Sequence, residues 1–357
     1  MNQDRYQRQI TLAGFGIESQ QKLSQAKVLV VGAGGLGVPV LTYLNAMGVG
    51  TLGIVDADVV SLSNLHRQVL FTENMVGTPK VIAAKNQLLG QNSNTHIITY
   101  QTYLTVINAR EIIKEYDIVV DATDNFPTRY LINDACILQG KPFVYGALHA
   151  FEGQVSVFNY KGGPTYRCLF PTMPEADAVP NCSENGVLGI LPGIIGNLQA
   201  LEVVKIIAEI GEVLSGVLLL FDSLTQRTQR MKFKLQPENK ELKVLANSYE
   251  FDCEFPLKSI EANEFQLLLS ERLVELIDVR SYKEFQRHHL REAKHIPLGE
   301  LTARITEIDL ENSVYVICQS GVRSKKAIAQ LQELFPGKDF INVTGGMNQM
   351  KNYDDAY

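Results

Sequence analysis

The sequence predicts an α/β protein in two parts, a large unit followed by a small one. Three observations carry that expectation. Val28–Val31 is an apolar run entering Gly32-Ala33-Gly34-Gly35-Leu36-Gly37 and then a helical pattern, the order of strand, tight turn and crossover helix. Val314–Ile317 repeats that order far downstream, but its turn begins at Cys318 and holds Arg323. Between them, Gln236-Pro237-Glu238-Asn239-Lys240 opens a polar transition. The expected organisation is therefore a first domain over 1–236, a linker over 237–256 and a second domain over 257–357. A chain of 357 residues has enough apolar surface for two cores.

The elements follow in order. Residues 6–27 read as short helices around Gly14-Phe15-Gly16, and Val28–Val31 as a buried strand. A helix over Val38–Met47 ends at Gly48-Val49-Gly50, and Leu52–Asp56 returns as a parallel strand. Thr78–Leu89 forms a helix with Pro79 in its first turn. Ile97–Tyr100, Ile118–Asp121 and Phe143–Tyr145 extend the same sheet, with a helix over Thr128–Leu138. Val155–Phe158, Val217–Phe221 and Arg230–Leu235 read as antiparallel strands, so the sheet is mixed. Gly193–Ile210 is an apolar helix, but Glu202, Lys205 and Glu209 mark it as core or subunit interface rather than a membrane span. In the second part, Leu273–Val279, Val314–Ile317 and Phe340–Val343 are strands, while Tyr282–Gln286 and Lys325–Leu334 are helices.

Composition narrows the function. With 45% hydrophobic and 20% charged residues the chain is ordinary for a globular protein, and a net charge of −6 argues against a broad nucleic-acid face. Residues Met1–Arg5 show no apolar signal region. Five cysteines, an odd number, point to reduced thiols and a cytoplasmic setting rather than a disulfide framework.

The first turn can hold phosphate, because Gly32, Gly34 and Gly37 let the backbone approach an anion at a helix N-terminus. Asp56 closes the second strand, where its carboxylate can accept bonds from ribose. Those features alone suit an oxidoreductase using NAD(P). The residues that follow favour a triphosphate. Arg67 and Lys80 can neutralise phosphate charge, Asn64 stands beside them, and Asp124 ends another strand as an oxygen ligand for Mg²⁺.

Taken together, Arg5-Tyr6-x-Arg8-Gln9, the glycine turn with Gly35, Asp56-x-Asp58, Ser63-Asn64-Leu65-x-Arg67-Gln68, Gly77-x-Pro79-Lys80 and Ala122-Thr123-Asp124-Asn125 resemble the ubiquitin-activating-like adenylyltransferases of the MoeB/ThiF group. The resemblance covers most of residues 1–235 and implies a Rossmann-like adenylation domain. It implies that Asp56 binds ribose, that Arg67 and Lys80 contact the phosphates of ATP, that Asp124 positions Mg²⁺ and that Asn64 shapes the site. It also implies a homodimer in which Arg8 reaches the neighbour's site. Its substrate would be the Gly-Gly tail of a ubiquitin-like sulfur carrier protein, activated as an acyl-adenylate. Cys182 falls where related enzymes carry a loop cysteine that attacks the adenylate. The group often holds a structural zinc on two Cys-x-x-Cys pairs. Here Thr165 precedes Cys168 in the first pair and no second pair is evident near 236–250, so no structural zinc is expected.

The second turn, Cys318-Gln319-Ser320-Gly321-Val322-Arg323, can hold an anionic sulfur at a helix start. A cysteine phosphatase uses similar parts, but the close spacing of Cys318 and Arg323 suits a sulfane sulfur better. With Leu276–Arg280, Glu284-Phe285, His295–Leu298 and Gly345-Gly346, this part resembles a rhodanese domain, in which Cys318 would carry a persulfide and Arg323 would stand at the loop rim. The expected activity is ATP-dependent adenylation of a sulfur carrier followed by transfer of sulfur from a persulfide or thiosulfate-type donor. The alternatives are an NAD(P)-dependent oxidoreductase with a rhodanese appendage and a noncatalytic carrier-binding scaffold.

Overall fold

A computed structural model describes residues 3–174, 186–249 and 257–350. The chain divides into two compact units, Met1–Phe251 and Asp252–Tyr357. The first opens with α1 (Gln3–Ile10) and α2 (Gly16–Gln25), then alternates β1 (Lys27–Val31), α3 (Gly37–Ala46), β2 (Thr51–Val55), α4 (Lys80–Gln91), β3 (His96–Tyr100), α5 (Ala109–Ile113), β4 (Ile118–Asp121), α6 (Phe126–Gln139) and β5 (Phe143–His149). It ends with β6 (Glu152–Phe158), α7 (Ile190–Ala208), β7 (Val217–Asp222) and β8 (Arg227–Lys232). The sheet runs β3-β2-β1-β4-β5-β6-β7-β8, parallel through β5 and antiparallel beyond it.

Alternation along the parallel strands sorts the core onto two faces. Val28, Val30, Ile54, Val120 and Val144 pack with α3, α4 and α7, whereas Leu29, Val31, Val119, Phe143 and Tyr145 pack with α5 and α6. Apolar α7 is long enough to cross a membrane by length and composition. It lies instead against α3, β5 and β6, with Leu191, Ile195 and Val203 fully buried, as its charged residues indicated.

Two stretches of the first unit depart from the sequence expectation in an informative way. Strand β8 begins at Arg227 rather than Arg230, because Asp222 accepts from the Leu224 amide and the Thr225 hydroxyl and closes a tight turn straight after β7. Residues 237–249, expected as linker, pack on the first unit. Pro237–Lys240 forms a short 3-10 turn, and buried Tyr249 donates to Asp134 at 2.6 Å.

The second unit is a parallel sheet in the order β11-β10-β12-β13-β9. Its elements are β9 (Lys258–Glu261), α8 (Ala262–Glu271), β10 (Glu275–Asp278), α9 (Tyr282–Arg287), β11 (Lys294–His295), β12 (Val314–Ile317), α10 (Val322–Leu334) and β13 (Phe340–Thr344). Helix α10 starts three residues earlier than expected, because Gly321 takes φ +89° and turns the chain into the helix at once.

Candidate active sites

The carboxyl ends of β1, β2 and β4 open onto one cleft of about 1080 Å³, its mouth included. It gathers Gly32, Gly34, Gly35, Asp56, Asn64, Arg67, Lys80 and Asp124, which the chain supplies from four separate segments. The glycines divide their duties. Gly32 sits at φ +100°, and a Cβ there would lie 2.6 Å from the Ala122 carbonyl oxygen. A Cβ at Gly37 would lie 1.9 Å from the Gly32 carbonyl oxygen, so Gly37 closes the helix onto the strand and does not line the cleft. Gly34 and Gly35 face the ligand space.

Asp56 is fixed by two amides, accepting from Ala33 at 2.7 Å and Asp58 at 2.8 Å. Burial pushes its carboxyl above the ordinary range, against the pull of Lys80 4.0 Å away. Lys80 is itself buried and donates to Asp58 at 2.8 Å. Arg67 donates through Nη1 to the Ser63 carbonyl at 3.2 Å and to His66 Nε2 at 2.7 Å, which makes that ring nitrogen the acceptor.

Asp124 is exposed on the turn after β4, and the turn is held from beneath by three elements. Asp121 accepts from the Thr123 amide at 3.0 Å and hydroxyl at 2.7 Å. Buried Arg129 donates to the Thr123 carbonyl at 3.1 Å, its guanidinium lying over the rings of Phe126 and Tyr145. Gln199 reaches across from α7 to the Asp121 carbonyl at 2.7 Å. Asn125 accepts from the Thr128 amide and caps α6.

Sequence reasoning assigned no role to three residues of this cleft. Gln68 is buried in its wall, with Oε1 unpaired among the described residues, an acceptor left for a ligand. Asp58 binds Lys80, and exposed Tyr103 donates to Asp58 at 3.3 Å from the cleft rim. Gln68 and Asp58 stood within the motifs that carry the family resemblance, and that was their signal. Arg8, on exposed α1, does not line the cleft of its own chain. Cys182 lies outside the described residues.

In the second unit Cys318 is fully buried at the end of β12. The Gly321 amide donates to its Sγ at 3.1 Å, and Ser324 Oγ stands 3.4 Å away while donating to Asn342 at 2.6 Å. The loop is clamped from β13. Amides of Met347 and Asn348 donate to the carbonyls of Cys318 and Gln319 at 2.9 and 3.0 Å, and a Cβ at Gly346 would come 2.1 Å from the Cys318 oxygen. Arg280, ion-paired to buried Asp278, also holds Gln319 at 3.0 Å.

Arg323 lies in the first turn of α10. It stands near the loop but donates twice to Glu284, at 2.8 and 2.6 Å, so its charge is already matched. Hydrogen bonding from Arg323 pulls the Glu284 carboxyl down to about 2. The Gly321 amide thus donates to the sulfur, with the Ser324 hydroxyl oxygen beside it. Cys136, buried in α6, has its thiol pushed up by burial.

Comparison with known proteins agrees with this geometry. The ThiF family model matches residues 6–244, and a rhodanese-like domain model matches residues 261–353. An Arabidopsis thaliana protein named adenylyltransferase and sulfurtransferase MOCS3 is 40% identical over 369 residues, covering 92% of this chain and 79% of its own. A Thermus thermophilus sulfur carrier protein adenylyltransferase is 51% identical over 239 residues, covering 66% of this chain and 88% of its own. Among solved structures, Escherichia coli MccB with MccA-N7isoASN has a TM-score of 0.59 at 22% identity, covering 66% of this chain and 73% of that one, a likeness of fold. This chain belongs to the ThiF family and carries a rhodanese-like domain behind its ThiF domain.

Proposed function

We propose that the first unit uses ATP to adenylate the C-terminal glycine of a ubiquitin-like sulfur carrier ending in Gly-Gly, and that Cys318 of the second unit supplies the sulfur for a thiocarboxylate. The observation that carries the reading is the cleft itself, where a phosphate-sized glycine turn faces buried Lys80, Arg67 and the exposed carboxylate of Asp124. A carboxylate oxygen of the carrier attacks the α-phosphorus of ATP; the bond to pyrophosphate breaks and an acyl-adenylate forms. No general base is needed, because the nucleophile is ionised near neutral pH. Lys80 and Arg67 hold the phosphates and oppose the charge that grows at phosphorus. Asp56 orients the ribose, and Asn64, Gly34 and Gly35 shape the pocket. Asp124 offers the oxygen ligand suited to Mg²⁺, which when bound offsets triphosphate charge.

For the second step, the outer sulfur of a Cys318 persulfide attacks the activated carbonyl and AMP leaves. The carrier is then joined to Cys318 through a disulfide. A second thiol, Cys182 or an external reductant, attacks that disulfide, takes Cys318 sulfur as its new partner and frees the thiocarboxylate. Sulfur enters from a persulfidated protein or a thiosulfate-type donor. We place the reaction in the cytoplasm, where Cys136, Cys168 and Cys318, free thiols in this chain, stay reduced. A homodimer in which Arg8 reaches the partner's cleft completes the proposal.

The test is mass spectrometry of candidate carriers after incubation with ATP, Mg²⁺ and a sulfur donor, which should show conversion of the terminal carboxylate to a thiocarboxylate. Cys318→Ala should keep carrier-dependent ATP–pyrophosphate exchange and lose that conversion. Loss of exchange in folded Cys318→Ala protein would refute the division of labour.

A further inference from the structure

The family resemblance raises the question of a structural zinc, and the residues at that place do not fit one. Cys168 Sγ is approached by the Thr165 amide and hydroxyl, each at 3.4 Å, by the Gln236 amide at 3.3 Å and by Asn239 Nδ2 at 3.6 Å. Asn239 Nδ2 also donates to Gln236 Oε1 at 3.4 Å. Two segments, each with residues three apart, thus meet at the Cys168 sulfur, with the Gln236 side chain reached through Asn239. Four thiolates bound to zinc at about 2.3 Å would lie roughly 3.8 Å apart. The contacts here, 3.4 Å from Thr165 to Cys168, 3.6 Å from Cys168 to Asn239 and 3.4 Å from Asn239 to Gln236, trace edges of nearly that length. The donor set is wrong for zinc, with one sulfur, one hydroxyl and two neutral amides. Among the described residues, no group of three or more His, Cys, Asp or Glu could hold a metal.

We propose that Thr165, Cys168, Gln236 and Asn239 form a metal-free clasp, in which hydrogen bonds gathered on the Cys168 sulfur join the two segments as a tetrahedral metal would, and that the place is a latent metal site. Burial pushes the Cys168 thiol up, but the hydrogen bonds from Thr165, Gln236 and Asn239 outweigh it and hold the thiol below its usual range. The Gln236 carbonyl, which can accept the thiol proton, is 3.8 Å from the sulfur. A sulfur held by hydrogen-bond donors thus takes the place of a cation held by anions. The clasp ties Pro237–Lys240 to the Tyr166–Cys168 turn, and Tyr249 with Arg167 on Asp134 forms a second fastening further along.

The proposal is tested on the full chain by metal content, thermal melting and cobalt titration. The purified protein should contain no stoichiometric zinc, and a chelator should leave its melting temperature unchanged. Cys168→Ala should lower the melting temperature of the first unit by several degrees. Stoichiometric zinc that Cys168→Ala removes would overturn the proposal, as would an unchanged melting temperature in that variant. The triple variant Thr165→Cys, Gln236→Cys, Asn239→Cys, refolded with metal present, should bind one Co²⁺ per chain with the spectrum of tetrahedral thiolate coordination. It should also melt at a lower temperature once chelator is added. A folded triple variant that takes up no cobalt would show that the four positions do not face one centre.

Discussion

Lys80 is the residue on which the first site turns. It is buried, bonded to exposed Asp58 and 4.0 Å from Asp56, so a triphosphate must compete with Asp58 for the ammonium. Replacing Lys80 with Met should lower the rate of ATP–pyrophosphate exchange by about a hundredfold or more, the scale seen when one preorganised charge partner is removed. Asp124→Ala should abolish both exchange and thiocarboxylate formation, and full adenylation by that variant would sink the metal role given to Asp124. In the second unit the Glu284–Arg323 pair makes a pH prediction. A Glu284 carboxyl held near 2, against an ordinary value of 4.5, adds stability that is fully present above about pH 4.5 and lost as pH falls toward 2. Melting curves of wild type and Glu284→Gln should therefore differ at neutral pH and converge as the solution is acidified through that window. A gap that stays constant with pH would show that the pair contributes no proton-linked stability.

At the scale of elements, the strand–turn–helix at each site is built on a glycine that cannot be exchanged. In Gly37→Ala the new methyl would meet the Gly32 carbonyl oxygen at 1.9 Å, which forces α3 away from β1. Overpacking of this kind costs typically ~1–3 kcal/mol. The variant should melt earlier and bind ATP more weakly, whereas Gly34→Ala, which meets only Gln68 at 3.8 Å, should keep its stability and lose affinity. Equal melting of both variants would contradict this division. These elements were legible because strong local rules coincide at them, an apolar strand, a glycine turn and a helix start. Asp124 follows a strand end and Lys80 opens a helix, so both could be placed for the same reason, while Arg67 was marked by its polar run. What stayed hidden depended on contacts between distant segments. Gln236 and Asn239 carry no charge or periodicity to mark them, and only the fold brings them onto Cys168, some seventy positions earlier. The pairing of Arg323 with Glu284 escaped for a like reason, since each belongs to a different helix. Tyr249 looked like linker because its anchor, Asp134, lies on α6.

Over the whole molecule, each unit owns the core beneath its chemistry. Val30, Val120 and Val144 with α3 and α7 lie under the nucleotide cleft, while Ile277, Val316, Cys318 and Ile328 make a separate apolar cluster in the second unit. Each unit buries an apolar cluster of its own, so each is expected to unfold in its own transition. Calorimetry of the full chain should resolve two transitions. ATP binds only the first unit under this scheme, and a ligand present at about a hundredfold its Kd stabilises the state it binds by about 2.7 kcal/mol. Adding ATP and Mg²⁺ should therefore raise the transition of the ThiF unit alone. Glu284→Gln should lower the transition of the rhodanese-like unit alone, and additive shifts in the combined experiment would mark sites that do not couple. A single transition that responds to both perturbations would mean that the units fold as one cooperative body, and the separation of adenylation from sulfur delivery would then have to be sought in the chemistry rather than in the fold.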